Sequence, residues 1–202
     1  ISFMFCGFMT TWMAYGTLGY AALCLPYALW AVTSYMKKNK WWYLVALAAS
    51  LALSFVSGHF QISLYVTGGV FAYILFVTLS TRKFAQGVVL SMVSLFGILL
   101  AAPQILLTLQ AYLSSTRSAS FIKGEVIPWQ YIVTLFSPDF YGNPVTRNDW
   151  FGHYAEWASY VGVIPLLLAC FAIVRNLKGY IRFFAVLALF SLFLAYPTPL
   201  ND

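Results

Sequence analysis

Long apolar runs that are almost free of charge limit what this chain can fold into more than any other feature. They lie on both sides of one polar stretch, residues 114–159, which holds four of the five acidic residues. Only 8% of the 202 residues are charged, whereas an ordinary soluble domain has about 25%. The sequence therefore predicts an all-α fold, a polytopic transmembrane helix bundle with one hydrophilic, partly helical loop.

Six apolar segments are predicted to span the membrane, and a partial helix at 3–13 precedes them. The predicted spans are residues 21–36, 43–57, 62–79, 88–109, 160–174 and 183–196. Pro103 lies near the far end of the longest, so a kink or an end is expected there. Gly68, Gly69 and Ala72 offer a small face for helix packing. Residues 1–202 are thus predicted as a single transmembrane domain, and the lack of a start methionine suggests an internal piece of a longer membrane protein.

The basic residues predict how the spans are oriented. Eight of the eleven fall in connections on one side, while the other three and the acidic residues fall on the other side. The eight are Lys37, Lys38, Lys40, Arg82, Lys83, Arg175, Lys178 and Arg182. By the positive-inside rule their side is cytoplasmic, so 114–159 is an extracytoplasmic loop of a multi-pass protein of the cytoplasmic membrane. Because the positive charges are dispersed in short clusters, they favour the lipid bilayer as partner and argue against nucleic acid.

The loop of about 45 residues is long for a simple connection, and loops of this size are usually functional or structured. Apolar and aromatic residues between Val126 and Phe136 are spaced for a short helix in the membrane interface, with Trp129 or Ile132 facing inward. The turn-forming residues from Ser137 onwards end this helix. The loop is therefore predicted to lie on the bilayer as a lid.

Candidate functional residues concentrate on this outer face. Asp139 and Glu156 can act as general bases or hold a divalent metal, and solvated loop charges are the alternative for each. Arg117 follows a membrane helix, where a guanidinium either grips a phosphate or snorkels to the interface. His59 and Gln61 lie in a polar hairpin on the same side. Their side chains either contact a ligand or form ordinary hydrogen bonds within the turn.

Several familiar signatures are missing from the sequence. It contains no P-loop, GxGxxG, HExxH or GxSxG motif, so nucleotide hydrolysis, dinucleotide chemistry and those hydrolytic routes lack support. The three cysteines are far apart and lie in apolar contexts. No cofactor is identified, and a divalent metal on the outer carboxylates stays open. Because no acidic residue lies mid-span, an ion-driven carrier is disfavoured.

Several stretches, taken in order, carry a family resemblance. They are WMAYGTLG at 12–19, SGHFQISLY at 57–65, APQIL at 102–106, SSTR at 114–117 and SPDFYG at 137–142, followed by Glu156 and YVGV at 160–163. Together they resemble the YfhO-like bacterial membrane proteins, relatives of the GT-C class of integral-membrane glycosyltransferases. The resemblance implies an enzyme that transfers a sugar from a polyprenyl-phosphate carrier to an extracytoplasmic cell-envelope acceptor. It also implies a catalytic carboxylate in a first outer loop, upstream of Ile1.

Within that reading each candidate has a role. Arg117 would hold the donor phosphate, Asp139 or Glu156 would be the catalytic base for the acceptor hydroxyl or would orient it, and His59 or Gln61 would lie at the edge of the pocket. Two alternatives to an enzyme stay open. One is a non-enzymatic lipid or polysaccharide translocase, which the nearly charge-free spans disfavour. The other is a structural membrane subunit, whose polar loop would tolerate change.

Overall fold

The structure, a computed structural model, describes residues 1–16, 18–115, 126–145 and 154–198. All regular elements in these ranges are helices and none is a strand, which confirms the predicted all-helical class. In chain order they are α1 Gly7–Tyr15, α2 Leu18–Lys38, α3 Trp42–Val56, α4 Phe60–Thr81, α5 Phe84–Leu100, α6 Ala102–Leu113, a 3₁₀ helix Trp129–Leu135, α7 Val163–Arg175 and α8 Gly179–Ala195.

The chain divides into two compact units. The central unit is Tyr15–Phe121, and the split unit combines Ile1–Ala14 with Ile122–Asp202. The central unit is built from α2 to α6. The split unit contains most of α1, the 3₁₀ helix, α7 and α8.

The helices coincide with the predicted spans to within a few residues, but their lengths differ from what a simple span needs. In the described part of the chain, α4 alone is both long and apolar enough to cross a membrane, and α5 and α6 meet the criterion only when taken together. Helices α3, α7 and α8 are apolar but have 15, 13 and 17 residues. At 1.5 Å per residue a 15-residue helix is about 22 Å long, less than the roughly 30 Å hydrocarbon core of a bilayer.

The predicted span 88–109 is broken into two helices. Helix α5 ends at Leu100, Ala101 connects, and α6 begins with Pro103 in its first turn, so the two axes differ by 61°. Proline has no N–H to donate, and its ring would clash with the carbonyl of Leu99 in a continuous helix. The kink expected at Pro103 is confirmed, and the longest single helix described is α4, with 22 residues.

Small side chains hold the central unit together. Ser54 of α3 and Ser63 of α4 are fully buried, and their hydroxyl oxygens lie 3.2 Å apart. Ser54 also donates to the carbonyl of Ala21 in α2 at 3.0 Å, and Ser63 donates to the carbonyl of Ser54 at 2.7 Å. Three helices are thus tied together by two hydroxyls, a form of helix association common in membranes, where apolar burial alone does not favour one contact over another.

Close helix crossings occur at glycines other than the predicted ones. A Cβ atom on Gly97 of α5 would lie 2.7 Å from the carbonyl oxygen and 2.9 Å from the Cα of Ala48 in α3. At Gly68, by contrast, no described neighbouring atom lies within 4 Å of such a Cβ, and at Gly69 only ordinary van der Waals contact would result. The predicted packing face at 68, 69 and 72 is therefore not where the tight crossing lies.

In the split unit the connecting segments are fixed by a few specific contacts. The Gly7 N–H donates to the carbonyl of Tyr160 at 2.6 Å, and the Trp12 indole donates to the carbonyl of Ala155 at 3.1 Å. Next to α8, the ring of Trp129 stacks on that of Tyr196 with centroids 4.9 Å apart. Helices α7 and α8 themselves contain no buried residue.

The helix predicted between Val126 and Phe136 is present as a 3₁₀ helix, in which residues three apart lie on the same side. Tyr131 and Thr134 form the side that is buried in the protein, whereas Trp129 and Ile132 are 54% and 46% exposed. That Trp129 or Ile132 faces inward at the bilayer surface stays a prediction.

Candidate functional site

Four aromatic side chains of the split unit pack around the 3₁₀ helix and are here called the aromatic cluster: Tyr131, Phe140, Tyr141 and Trp157. The Tyr131 ring is buried, 4.9 Å from that of Tyr141 and 4.8 Å from that of Trp157, which it meets edge-on at 74°. The Phe140 ring lies 5.1 Å from Tyr141. Aromatic pairs in such tilted and edge-on arrangements are stabilised beyond their area of burial.

Asp139 lies at the rim of this cluster and is held by two side-chain donors. Its Oδ1 accepts a 2.6 Å hydrogen bond from the Tyr154 hydroxyl, and its Oδ2 accepts a 3.1 Å bond from the Asn143 amide. Its carbonyl accepts from the Gly142 N–H at 2.8 Å, which closes a turn in which Gly142 has a φ of 87°. Asp139 thus organises its own loop and joins it to the segment that leads to Glu156.

The pKa of Tyr154 is shifted in this environment. Burial, and then the hydrogen bond to and the negative charge of Asp139, raise the pKa of Tyr154 to about 12. Both causes favour the neutral phenol, since ionisation would remove the shared proton and place two anions side by side. Tyr154 therefore remains a hydrogen-bond donor across the physiological pH range.

Glu156 differs from Asp139 because its carboxylate is uncommitted. The side chain is exposed and makes no hydrogen bond to another of the described residues. Its backbone is nevertheless fixed from both sides, by the Trp12 bond to the carbonyl of Ala155 and by the packing of Trp157 in the aromatic cluster. An exposed carboxylate can accept a proton from a substrate, so Glu156 remains a candidate base, whereas both carboxylate oxygens of Asp139 already accept hydrogen bonds.

His59 and Gln61 belong to the central unit, where both have local structural partners. His59 is the N-cap of α4, and its Nδ1 accepts from the Ile62 N–H at 3.4 Å. Gln61 donates to the Tyr65 hydroxyl at 2.7 Å, one helical turn further on. Burial of the half-buried His59 lowers its pKa.

The remaining predicted site residue, Arg117, lies outside the described residues. Asp139 and Glu156 fall in the split unit, and His59 and Gln61 in the central unit. Within the ranges that the structure describes, no three His, Cys, Asp or Glu side chains lie close enough to hold a metal ion.

The residues that sequence reasoning missed are the two partners of Asp139. Tyr154 lies 15 positions further along the chain and Asn143 only four. Asn143 was within reach of sequence reasoning, because Asn is a frequent turn residue and its Oδ1 here accepts from the Val145 N–H at 2.9 Å. Nothing in the sequence marks Tyr154 among its aromatic neighbours.

Comparison of the chain with protein-family models, with curated proteins and with solved structures finds no match.

Tyr154→Phe is expected to destabilise the split unit by about 1–2 kcal/mol, because it removes a hydrogen bond to a charged but solvent-exposed acceptor. The matched control is Tyr141→Phe, since the Tyr141 hydroxyl donates to the neutral carbonyl of Gln130 at 3.0 Å in the same cluster. Thermal unfolding of the purified protein compares the two variants. Equal losses of stability in the two variants would mean that the hydrogen bond to Asp139 is worth no more than the bond to the neutral carbonyl of Gln130.

His59→Ala is expected to cost about 1 kcal/mol of stability through loss of the N-cap, while His59→Asn keeps most of it. The pH dependence has a definite sign. Because the folded pKa of His59 is lowered, its contribution is complete above the unfolded value of about 6.5 and is lost as pH falls through the folded value. Protonated Nδ1 can no longer accept from Ile62, and it puts positive charge at a helix N-terminus.

Unfolding midpoints measured between pH 8 and pH 5 test this point. The difference in unfolding midpoint between wild type and His59→Asn should become smaller as the pH falls. Wild type loses the His59 cap on protonation, whereas the asparagine amide does not titrate. Parallel curves for the two proteins would mean that His59 stays a neutral cap throughout the range.

Proposed function

We propose that this chain is part of a multi-span protein of the cytoplasmic membrane that transfers a sugar from a polyprenyl-phosphate donor on the extracytoplasmic side. The membrane part of the proposal is supported by the apolar surface of the helices. Leu168, Phe171 and Val174 of α7 and Leu189 of α8 are each more than 60% exposed. Contiguous apolar surface of this extent is unfavourable in water at roughly 25 cal/mol per Å² and calls for lipid or protein cover.

The distribution of positive charge supports the same assignment. Lys37 and Lys38 end α2, Arg82 and Lys83 connect α4 to α5, and Arg175 ends α7. Basic side chains at helix ends are the arrangement expected for helices that stop at a charged membrane surface. The short helices α3, α7 and α8 are accommodated by local thinning of the bilayer or by snorkelling of flanking residues, at a modest cost.

The single observation that carries the catalytic part is the exposed Glu156 carboxylate beside the aromatic cluster. Binding sites for small molecules are typically lined by aromatic and apolar side chains with a few oriented polar groups. We assign this lining to the exposed Phe140 ring and the partly exposed Tyr141 and Trp157 rings, and Asp139 orders the loop that contains two of these three. Glu156 directly precedes Trp157 in the chain, so a carboxylate is proposed at the same aromatic surface.

In the proposed reaction Glu156 accepts the proton of an acceptor hydroxyl while that oxygen attacks the anomeric carbon of the donor. The bond between this carbon and the donor phosphate oxygen breaks, and the polyprenyl phosphate leaves with the electron pair. Arg117 is assigned to hold the phosphate, for which a guanidinium fork is suited. His59 and Gln61 have local partners in the central unit and are assigned no role in this reaction, and a divalent metal at the carboxylates stays part of the hypothesis.

The direct test is a transfer assay with the full-length protein. Membranes from cells that express it are supplied with a radiolabelled polyprenyl-phosphate sugar, and label is followed into cell-envelope polymer. Transfer above that of membranes from a deletion strain is expected. Equal transfer in the two membranes, at verified expression and across several sugars, would remove the enzymatic proposal and leave the membrane assignment.

A structural subunit is the second candidate, and one observation favours it. Both carboxylate oxygens of Asp139 are occupied by partners from the protein itself, as expected for a residue that holds a loop rather than a substrate. Under this hypothesis the loop is a rigid docking surface, and substitutions at Glu156 leave the protein's function unchanged. The variant Glu156→Gln separates the two candidates.

Orientation in the membrane gives a further prediction. In a background without the three native cysteines, Val145→Cys is expected to react with an impermeant thiol reagent in intact cells, because residue 145 is 90% exposed and is assigned to the outer face. Lys83→Cys should react only after permeabilisation, since Lys83 is assigned to the cytoplasmic face. The reverse pattern would overturn the orientation, and reaction of both in intact cells would contradict it as well.

A further inference from the structure

Five basic side chains lie where two pairs of helices of the central unit are connected, and they are here called the basic patch. Three of them are at the end of α2 and in its connection to α3, and the other two connect α4 to α5. The patch consists of Lys37, Lys38, Lys40, Arg82 and Lys83, and all five are exposed.

Two hydrogen bonds join these connections to each other. Lys83 donates from Nζ to the carbonyl of Met36, in the last turn of α2, at 2.8 Å. The Gln86 amide, in the first turn of α5, donates to the Asn39 Oδ1 at 3.1 Å. The partners in each bond are 47 positions apart in the chain, so tertiary structure places the two groups of cations side by side. An ammonium has three N–H donors, so the bond to Met36 does not saturate Lys83.

The central unit contains no carboxylate that could neutralise the patch. Residues Tyr15–Phe121 include no Asp or Glu, and the acidic residues of the chain begin at Glu125. In the proposed orientation those acidic residues are assigned to the opposite face of the membrane. Like charges that lie close together repel each other, and an anion from outside the unit relieves that repulsion.

Aromatic rings lie against the lysines of the patch. The Nζ of Lys40 is 4.6 Å from the centroid of the Trp42 ring, and the Nζ of Lys38 is 5.9 Å from that of the Tyr43 ring. Such cation–π contacts favour these positions of the ammonium groups. Trp41 is 70% exposed beside them. An exposed tryptophan next to basic residues at a helix end is typical of the headgroup region of a bilayer.

Apolar surface begins within one helical turn of the cations. Leu79 of α4 lies three positions before Arg82, and Phe84 directly follows Lys83. Val45 lies in the first turn of α3. Each of these three apolar side chains is more than half exposed. An anion that carries long apolar chains covers both kinds of surface, whereas a free phosphate or an acidic peptide covers only the charges.

We propose that the basic patch binds the headgroup of one anionic phospholipid of the cytoplasmic leaflet. The lipid phosphate accepts hydrogen bonds from cations of both connections, and the acyl chains extend over the adjoining apolar surface. Basic residues near a membrane surface favour anionic lipid about fivefold each in affinity. Because two hydrogen bonds join the connections, the patch is one shared site. The inference rests on the proposed membrane location and orientation but not on sugar transfer.

The test uses the purified full-length protein in mild detergent, titrated with phosphatidylglycerol or with phosphatidylcholine of the same acyl chains. Native mass spectrometry reads the number of lipids bound and the affinity of each. Phosphatidylglycerol is expected to bind at least fivefold more tightly than phosphatidylcholine. This preference should become smaller in about 0.5 M salt, because salt screens exposed charges.

Two variants remove one charge from each connection. Lys37→Gln and Arg82→Gln should each weaken phosphatidylglycerol binding about fivefold, and the double variant about 25-fold, since both charges act on the same lipid. Both side chains are exposed, so cooperative unfolding should be retained. The matched control is Arg175→Gln, which removes the same charge from the end of α7 in the split unit and should leave the affinity of the site unchanged.

The outcomes separate this inference from the proposed function. Equal affinity for the two lipids, or unchanged affinity in the double variant, would overturn the lipid site even if sugar transfer is found. Two bound lipids, of which each single variant loses one and keeps the other at full affinity, would overturn the shared site.

Two soluble competitors test the choice of partner. Glycerol phosphate has the charged group without acyl chains, and poly-glutamate represents an acidic protein segment. Binding of either one as tightly as phosphatidylglycerol would assign the patch to that soluble partner and overturn the lipid site. A preference for phosphatidylglycerol without any sugar transfer would support this inference and overturn only the enzymatic proposal.

Discussion

Glu156→Gln in the full-length protein is expected to lower sugar transfer by about 10²–10³-fold, the usual cost of losing one catalytic contact. The glutamine amide has nearly the same shape but cannot take up the acceptor proton. Because Glu156 is exposed and makes no hydrogen bond to other described residues, its replacement should leave the unfolding midpoint unchanged. Loss of rate without loss of stability is therefore the expected signature.

Asp139→Asn is the matched comparison. It also removes one negative charge, but it weakens the acceptors of Tyr154 and Asn143. Its expected pattern is the opposite one, a lower unfolding midpoint with a smaller loss of rate, since Asp139 positions the loop. Arg117→Ala should lower transfer as strongly as Glu156→Gln if the guanidinium holds the donor phosphate. Transfer within a few-fold of wild type in both Glu156→Gln and Arg117→Ala would favour the structural subunit.

The second large effect is expected at Gly97→Leu, which should destabilise the central unit by about 3 kcal/mol or more. Its Cβ would lie 2.7 Å from a backbone oxygen of Ala48, and a backbone atom cannot turn aside as a side chain can. Helices α3 and α5 would have to separate, which would open their contact along its length. Thermal unfolding in detergent measures the loss.

Gly68→Leu is the control for this change. It places the same side chain at another helical glycine in the central unit, where no described neighbouring atom lies within 4 Å of the new Cβ. Leucine has the better helix propensity, so this variant should be neutral or slightly more stable. Similar losses at both positions would mean that the cost arises within the helix itself and not from the crossing with α3.

The contrast between these two glycines marks the limit of sequence reasoning in this chain. Both lie in helices that are apolar on all sides, so no polar face indicates which side meets a neighbour. Amphipathic periodicity carries that information in a soluble helix, and here it is absent. The packing partners had to come from the three-dimensional arrangement.

The candidate site could also be predicted only in part from the sequence. The polar segment stood out because its charges are excluded from the apolar runs, and Asp139 and Glu156 were the acidic residues within the resemblance. Their different roles were not visible, because the role of Asp139 depends on a hydroxyl 15 residues away.

What the sequence determined by itself is the set of helices and the places where they stop. Apolar length sets the helices, basic residues stand at the ends of α2, α4 and α7, and Pro103 breaks α5 from α6 because a missing N–H acts locally. Only the tertiary structure decided that Gly97 meets Ala48 and that Tyr154 holds Asp139. These are contacts between segments distant in sequence, and a chain with so little polar pattern does not encode them in any local signal.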